Sequence, residues 1–263
     1  LVLDDPGRRS FARHRQGAFS TAQLKDWWWL CDKRLPWARP PGAAGEPLPR
    51  DAAWLVAEGC ACSYGYALRS WAPALMQGWF LQLTRAVCDA CGVKELPNSC
   101  NANRYTSGMD SVGWHADAEP LFEATRRDTL IVSLSLGASR TFKLSCMDGQ
   151  SGDITEIVLE NGDLCTMEGL CQKYYQHCVP KEPNVEGARI NLTWRWITAH
   201  TKDCPQGVPA GPLRDKLSAL LEARSKLERL KRQRQEEQQQ APAREDVDAA
   251  LGRLASARAR LAE

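Results

Sequence analysis

The stretch RINLTWR, residues 189–195, constrains the fold of this 263-residue chain more than any other feature. Polar and apolar side chains alternate strictly along it, which is typical of a strand that turns only one face to an apolar core. Two further runs with short apolar segments precede it, TLIVSLSLGASRTFKL and ITEIVLENGDLCTM, and the second contains Asn161-Gly162, a hairpin signal. From Asn103 onward the sequence therefore predicts a largely antiparallel sheet pair or barrel.

Two helices are predicted ahead of these strands. The first begins at a cap provided by Ser20 or Thr21, and the second ends near Gly92. A loop rich in Pro and Gly, PPGAAGEPLPR, separates them. Helices followed by many strands predict an α+β domain whose helices cover one side of the sheets.

The last part of the chain carries apolar residues at near-heptad spacing among many charges. The first stripe consists of Leu213, Leu217, Leu220, Leu227 and Leu230, and the second of Val247, Leu251, Leu254 and Leu261. This pattern predicts a C-terminal helical hairpin or coiled coil. Such a helix pair could pack on itself or on the core, or could bind a protein partner or a second copy of the chain.

The segments differ in charge. We predict a flexible N-terminal segment over residues 1–18, one domain over residues 19–202, a linker over residues 203–212 and a charged helical tail over residues 213–263. The tail holds 12 Lys and Arg against 9 Asp and Glu, which leaves 22 against 23 for the rest of a chain with net charge +2. A polyanion would have to be bound by a local patch or by the tail, because the overall charge supplies little steering.

The cysteines indicate the compartment. Eleven cysteines without a framework spacing favour reduced thiols and an intracellular chain, nuclear or cytoplasmic. No apolar run of about 18 residues is present, so no membrane contact is expected. The Arg- and Ser-rich stretch GRRSFARHRQGAFS leaves organelle targeting open. Cys88 and Cys91 form a CxxC that could bind zinc, but on a predicted helix they are expected to be small buried apolar residues.

One of only four histidines stands two residues before an aspartate, in SVGWHADAEP. In an extended segment the side chains of His115 and Asp117 point to the same side. Two histidines and one carboxylate with open coordination positions form the ligand set of non-haem Fe(II) oxygenases. The candidates for the second histidine are His14, His177 and His200. His177 is favoured because it comes just after a predicted strand.

The polar face of RINLTWR provides a second candidate site. Arg189 and Arg195, with Asn191 and Thr193 between them, form a row of hydrogen-bond donors. Because arginine binds carboxylates bidentately, the row suits an anion with two carboxylates. The same face would also suit an ordinary surface exposed to water.

Several motifs, in this order and spacing, resemble those of a known family. They are NANRYTSGMDSVGWHADAE, SLSLGASRTFKL, GDLCTMEGLCQKYYQHCVPK and RINLTWR, and the similarity reaches back to PRDAAWL and YGYALRSWAP. The chain resembles the AlkB homologues, the Fe(II)- and 2-oxoglutarate-dependent dioxygenases that demethylate nucleic-acid bases, and most of all their single-strand-preferring repair branch. This resemblance implies a double-stranded β-helix, or jelly-roll, core.

The resemblance also implies a cofactor set. His115, Asp117 and His177 would bind Fe(II), and Arg189 and Arg195 would bind the two carboxylates of 2-oxoglutarate. Asn103, Tyr105 and Thr193 would line the same pocket. The implied reaction consumes O2 and 2-oxoglutarate, demethylates 1-methyladenine or 3-methylcytosine, and releases succinate, CO2 and formaldehyde.

Substrate contacts are implied as well. Glu119 would face the damaged base, which is cationic near neutral pH, and Tyr64 and Tyr66 match the aromatic stretch that closes over the nucleotide. Arg50 is a candidate for a phosphate contact. The pair Arg126 and Arg127 is another, unless all three are merely solvated.

The chain departs from the family pattern at three places. Ala118 stands where repair relatives commonly carry another acidic residue, and Trp54 replaces the usual tyrosine after the PR motif. The loop PPGAAGEPLPR lacks the aromatic wedge of the duplex-specific relative. Because extruding a paired base costs a few kcal/mol, we predict a preference for single-stranded DNA or RNA.

Two other functions are compatible with the sequence. A dioxygenase of the same fold could act on another RNA mark or on a protein side chain. A module without catalysis could bind modified bases while the helical tail recruits a partner, although intact iron and cofactor residues speak against it.

Overall fold

The computed structural model describes residues 1–41, 45–66, 68–148, 154–208 and 211–240. Its strands form two sheets, which are antiparallel except for the parallel pair β3 and β6, and a separate hairpin of β4 and β5. The strands among these residues are β1 (Leu3–Asp5), β2 (Ser10–Arg15), β3 (Asp51–Val56), β4 (Tyr64–Tyr66), β5 (Arg69–Trp71), β6 (Ala74–Leu75), β7 (Ser99–Tyr105), β8 (Val112–His115), β9 (Thr129–Gly137), β10 (Arg140–Cys146), β11 (Ile154–Leu159), β12 (Leu164–Gly169), β13 (Tyr175–Val179) and β14 (Arg189–Arg195). The helices are α1 (Thr21–Arg34), α2 (Gly78–Cys91), α3 (Cys171–Tyr174) and α4 (Pro212–Gln240).

The large sheet has the order β1-β2-β12-β9-β14-β7-β3-β6, with the alternating strand β14 near its centre. Ile190, Leu192 and Trp194 on the apolar face of β14 are fully buried in a core that includes Leu24 of α1 and Phe80 of α2. The helices therefore cover this face, as predicted. Its polar face lies on the opposite side of the sheet.

Both predicted helix termini are confirmed. Ser20 caps α1 through a capping box with Gln23, which satisfies backbone N–H groups at the helix start. Gly92 ends α2 with φ +69°, a left-handed conformation in which glycine avoids the steric cost of a Cβ atom.

The small sheet has the order β11-β10-β13-β8 and faces the polar side of the large sheet. A second core joins the two sheets, with Tyr105 and Ile131 from the large sheet and Phe142, Leu144 and Val179 from the small one. The polar row of β14 is therefore turned into the space between two sheets rather than toward bulk water.

The prediction of a flexible segment over residues 1–18 was wrong. β1 pairs with β2, and β2 pairs along its whole length with β12, so the segment adds two strands to the large sheet. Two basic side chains of β2 contact carboxylates there, since Arg13 Nε donates to Glu168 at 2.9 Å and His14 Nε2 lies 2.7 Å from Asp163 Oδ2. Without β2, β12 would present an unpaired edge.

The chain divides into the units Leu1–Pro209 and Ala210–Glu263. The proposed linker begins inside the first unit, because Cys204 is completely buried in a third core that also contains Trp54, Tyr64 and Phe122. A short 3₁₀ helix, Pro205–Gly207, follows it.

In the second unit, α4 is a 29-residue helix with a mostly polar sequence. Leu220, Leu227 and Leu230 are each more than half exposed. The second stripe, Val247 to Leu261, lies outside the described residues, so the hairpin or coiled coil stays a prediction. No helix among the described residues is long and apolar enough to cross a membrane.

Candidate active site

The small sheet brings two histidines together. β8 and β13 pair so that His115 lies directly opposite His177, with ring centroids 4.2 Å apart. Asp117 follows β8, and its Oδ1 lies 3.8 Å from His115 Nε2. One ligand atom from each of these three residues lies within 4.8 Å of the others. We call them the His–Asp–His group.

Neighbouring residues fix the orientation of this group. The backbone N–H of Asp117 donates to Oε1 of the buried Gln172 at 2.8 Å. His115 Nδ1 lies 2.9 Å from the carbonyl of Gly113, which leaves Nε2 facing Asp117. Such outer partners orient metal ligands in proteins.

The protonation states suit a metal ion. Burial, together with the neighbouring His115, lowers the pKa of His177 to about 3, and burial also lowers the pKa of His115. Burial alone would raise the pKa of Asp117, but Arg195 and the two histidines hold it below its usual value. At neutral pH the group thus combines two neutral imidazoles and one carboxylate, the forms that bind metal ions.

The large sheet supplies the opposite wall of the cavity. β14 pairs with β7 so that Arg189 faces Tyr105 and Asn191 faces Asn103. Asn103, Tyr105, Thr193 and Arg195 line one cavity together with the His–Asp–His group. These four side chains therefore share one cavity with the His–Asp–His group, whereas Arg189 is not among the residues that line it.

Two buried arginines beside Tyr105 differ in how many of their hydrogen-bond donors have partners. Each guanidinium lies over the Tyr105 ring, 5.4 Å away for Arg140 and 5.3 Å for Arg189. Each of the three nitrogens of Arg140 has a partner, in the Glu182 carboxylate and three backbone carbonyls. Nη2 of Arg189 donates to Ser135 Oγ at 2.8 Å, whereas its Nε and Nη1 have no hydrogen-bond partner among the described residues. A buried cation with two unpaired donors fits a bound carboxylate.

The other end of the donor row reaches the His–Asp–His group. Nη1 of Arg195 lies 3.4 Å from Asp117 Oδ1 and 3.3 Å from Glu119 Oε2. Its Nε has no partner among the described residues. The residues present therefore fit both a metal ion and an anion with two carboxylates, since unpaired arginine donors occur at both ends of the row.

The residues expected at the substrate are also near the cavity. Tyr64 and Tyr66 line it, and the Tyr66 ring meets the His115 ring edge-on at 5.7 Å. Glu119 lies beside the cavity, where its carboxylate is engaged by the Tyr64 hydroxyl and by Arg195.

Arg50 is placed differently from the prediction. It is only 5% exposed, lines the cavity, and donates from Nε to Asn103 Oδ1 at 2.6 Å. A guanidinium in this position orders the cavity wall rather than reaching a phosphate on the surface. Arg126 and Arg127 are exposed, and Arg127 lies 3.8 Å from Glu123.

Comparison with known proteins identifies the family of the chain. The family model described as "2OG-Fe(II) oxygenase superfamily" matches residues 12–195. This chain belongs to that superfamily. The chain is 39% identical over 115 residues to human alpha-ketoglutarate-dependent dioxygenase alkB homolog 3, covering 41% of this chain and 39% of the relative. It is 32% identical over 200 residues to the DNA oxidative demethylase ALKBH2 of Arabidopsis thaliana, covering 63% of this chain and 60% of the relative.

These matches confirm the resemblance to AlkB homologues, although the matched part covers only about two fifths of the length of the alkB homolog 3 relatives. The solved structure of OsALKBH1 superposes on this chain with a TM-score of 0.53 at 19% identity, covering 70% of this chain and 96% of that chain. This likeness shows the fold, a jelly-roll type rich in antiparallel strands.

Sequence reasoning missed some residues of the molecule's polar interior. Gln172 and Ser135 stand in apolar surroundings with no motif of their own, and only their contacts with Asp117 and Arg189 reveal them. His200, considered as an iron ligand, lies instead against the sulfurs of Cys60, Cys62 and Cys204.

Proposed function

We propose that this oxygenase removes N-methyl groups from bases such as 1-methyladenine and 3-methylcytosine in single-stranded DNA or RNA. One observation carries the proposal: Tyr105 lines the same cavity as the His–Asp–His group, and over its ring lies the buried guanidinium of Arg189, which keeps two donors unpaired among the described residues. The names of the relatives point the same way, since one is a DNA oxidative demethylase and another an alpha-ketoglutarate-dependent dioxygenase.

In this proposal His115, Asp117 and His177 hold Fe(II), and Arg189 and Arg195 bind the carboxylates of 2-oxoglutarate. Asn103, Tyr105 and Thr193 form the wall around the co-substrate. When bound, Fe(II) and 2-oxoglutarate supply the oxidation of the methyl group by O2, with release of succinate, CO2 and formaldehyde. The protein keeps coordination positions open, because the group offers only three ligand atoms.

The substrate side of the cavity is aromatic. Tyr66 lies beside His115 and is half-buried, so its ring is available to stack on a base brought next to the metal ligands. Stacking of a base on an aromatic ring contributes roughly 1–3 kcal/mol. Glu119, whose Oε2 lies 3.3 Å from Arg195 Nη1, is the acidic residue that in this proposal faces the cationic methylated base.

The preference for single strands rests on the loop before Arg50. Its sequence, PPGAAGEPLP, contains no aromatic side chain that could replace an extruded base, and its Leu48 is buried. Residues 42–44 of the loop lie outside the described residues. A base that is already unpaired avoids the extrusion cost of a few kcal/mol.

The test follows succinate and formaldehyde release from the purified chain with Fe(II), ascorbate and 2-oxoglutarate. Single- and double-stranded oligonucleotides bearing 1-methyladenine or 3-methylcytosine serve as substrates, and His115→Ala serves as the control. We expect formaldehyde only with methylated oligonucleotide and intact His115, and faster release from single strands.

The other outcomes separate the parts of the proposal. Equal or faster turnover of duplexes contradicts the strand preference. Succinate without formaldehyde contradicts the substrate and directs the search to another RNA mark or to peptides. Neither product from folded, iron-loaded protein contradicts the oxidation itself.

A further inference from the structure

A second group of metal-ligating side chains lies outside the candidate active site. Cys60 and Cys62 stand in the turn between β3 and β4, whereas His200 and Cys204 follow β14. Cys60 and His200 are 140 residues apart in sequence. One ligand atom from each of the four residues nevertheless lies within 4.8 Å of the others. We call these residues the cysteine–histidine group.

The distances within the cysteine–histidine group are those expected around one tetrahedral ion. The sulfurs of Cys60, Cys62 and Cys204 lie 3.7, 3.5 and 3.4 Å from His200 Nδ1, and the sulfurs of Cys60 and Cys204 lie 3.9 Å apart. Zinc bonds of about 2.3 Å to sulfur and about 2.0 Å to nitrogen, at tetrahedral angles, place sulfur about 3.5 Å from nitrogen and about 3.8 Å from another sulfur.

Backbone donors surround the sulfurs. The N–H of Thr201 lies 3.3 Å from Cys62 Sγ, and the N–H of Ala61 lies 3.3 Å from Cys204 Sγ. Cys62 and Cys204 are themselves completely buried. Buried thiolates need such donors, and hydrogen bonds of this kind orient metal ligands.

We infer that Cys60, Cys62, His200 and Cys204 bind one zinc ion at a structural site. Soft thiolate ligands select zinc over Mg²⁺ and Ca²⁺, and three cysteines with one histidine form a closed ligand set typical of structural zinc. All four coordination positions are filled by the protein, so the site leaves no position for a substrate.

The position of the group indicates what the ion stabilises. It joins the turn before β4 to the segment after β14, and β4 carries Tyr64, whose hydroxyl donates to Glu119. The indole N–H of Trp54 donates to the Cys62 carbonyl at 2.8 Å, and the Trp54 ring stacks on Tyr64 at 4.9 Å. The zinc ion would therefore hold the hairpin of β4 and β5 against the cavity.

The first experiment measures zinc per chain in the 263-residue chain purified without chelator. The Asp117→Ala background removes an active-site ligand, so zinc in the cavity does not confuse the count. We expect about one zinc ion per chain in this background, near zero after adding Cys62→Ala or Cys204→Ala, and no change with Cys91→Ala. Cys91 belongs to the CxxC of α2, the motif that sequence alone would have nominated for zinc.

A second set of measurements controls for misfolding of the cysteine variants. His200→Cys keeps four soft ligands and should retain zinc, whereas His200→Ala should bind it more weakly. The unmutated chain loaded with Co²⁺ should show thiolate-to-metal charge-transfer absorption. A chain that takes up neither zinc nor cobalt, zinc content unaffected by Cys62→Ala, or a Cys60–Cys204 disulfide in freshly purified protein would each overturn the inference.

The consequence for activity rests on the proposed function, whereas the zinc site does not. Zinc loss should raise KM for the methylated oligonucleotide several-fold more than KM for 2-oxoglutarate, because the hairpin contacts the substrate side. Zinc without this KM pattern would refute the positioning role of the ion and leave the site itself supported by the metal count.

Discussion

The cavity between the sheets and the turn beside β4 both gather metal-ligating side chains, but they differ in what surrounds the ligand atoms. The His–Asp–His group offers three ligand atoms and lies beside arginines whose donors are unpaired. The cysteine–histidine group offers four ligand atoms, and backbone N–H groups donate to two of its sulfurs. Catalytic metal sites keep one position open, whereas structural zinc sites fill all four.

Unsatisfied hydrogen-bond capacity separates an open site from a closed one. Of the five buried side-chain atoms without a partner among the described residues, four belong to His177, Arg189 and Arg195. More than about 90% of buried polar groups in proteins are paired, so this concentration marks the place where a ligand completes the structure.

The largest expected effect comes from opening the His–Asp–His group. Asp117→Ala removes the only carboxylate of the group and leaves Arg195 paired with Glu119 alone. Succinate formation should fall by more than the roughly 10- to 100-fold that loss of an outer partner costs. Asp128→Ala, which changes an exposed aspartate paired with Arg9, is the control. Comparable turnover in the two variants would contradict the assignment of the metal ligands.

Arg189, which has two unpaired donors, should behave unlike Arg140, whose three nitrogens all have partners. Arg189→Met removes charge-assisted bonds worth about 1.5–3 kcal/mol each, so KM for 2-oxoglutarate should rise roughly 10- to 100-fold. Without co-substrate the same variant should keep or raise the free energy of unfolding, because an uncompensated buried charge is gone.

Arg140→Met is the matched contrast. It removes one donor from Glu182, which keeps its bonds from Thr141, and removes the Arg140 donors from three backbone carbonyls, so it should lower the melting temperature. Thermal melts with and without 2-oxoglutarate distinguish the two arginines. Equal destabilisation by both substitutions would show that Arg189 is a structural residue like Arg140.

A smaller effect is expected from the partner of Asp117. Gln172→Met keeps the side-chain volume but removes the acceptor of the Asp117 N–H. Iron affinity or turnover should fall by about 10- to 100-fold at most. Iron titration followed by turnover at saturating iron tests this, and zinc content should stay unchanged. A loss as large as that of Asp117→Ala would mean that Gln172 itself contacts the reacting groups.

The smallest effect concerns the closed site. Trp54→Phe removes the bond from the indole N–H to the Cys62 carbonyl, a contribution of about 1 kcal/mol, and should lower the melting temperature by roughly 2–4 °C. Zinc should remain bound, because the four ligands are untouched. Loss of zinc from this variant would show that the turn is not held by the ion.

The sequence predicted the strands and helices whose apolar residues recur at a regular spacing. The alternation in RINLTWR predicted β14 and its donor row, and helical spacing with caps predicted α1 and α2. Alternation alone could not decide whether the polar face met water or a second sheet, because both give the same pattern. The resemblance to a family supplied that choice, and the shared core of the two sheets agrees with it.

Contacts between distant segments escaped prediction. The short motifs CxC at Cys60 and HxxxC at His200 lie 140 residues apart, so eleven scattered cysteines were interpreted as reduced thiols in general. The N-terminal strands were missed for a different reason. Arg13 and His14 look like solvated charge, but their partners Glu168 and Asp163 lie on or next to β12.

The most direct test of two separate metal sites is the iron and zinc content of Asp117→Ala and Cys62→Ala, measured side by side. Both variants are reconstituted with iron and compared with the unmutated chain at equal helix and strand content. We predict that Asp117→Ala loses iron and keeps zinc, whereas Cys62→Ala loses zinc and keeps iron. Loss of both metals from either folded variant, or of neither, would contradict the account.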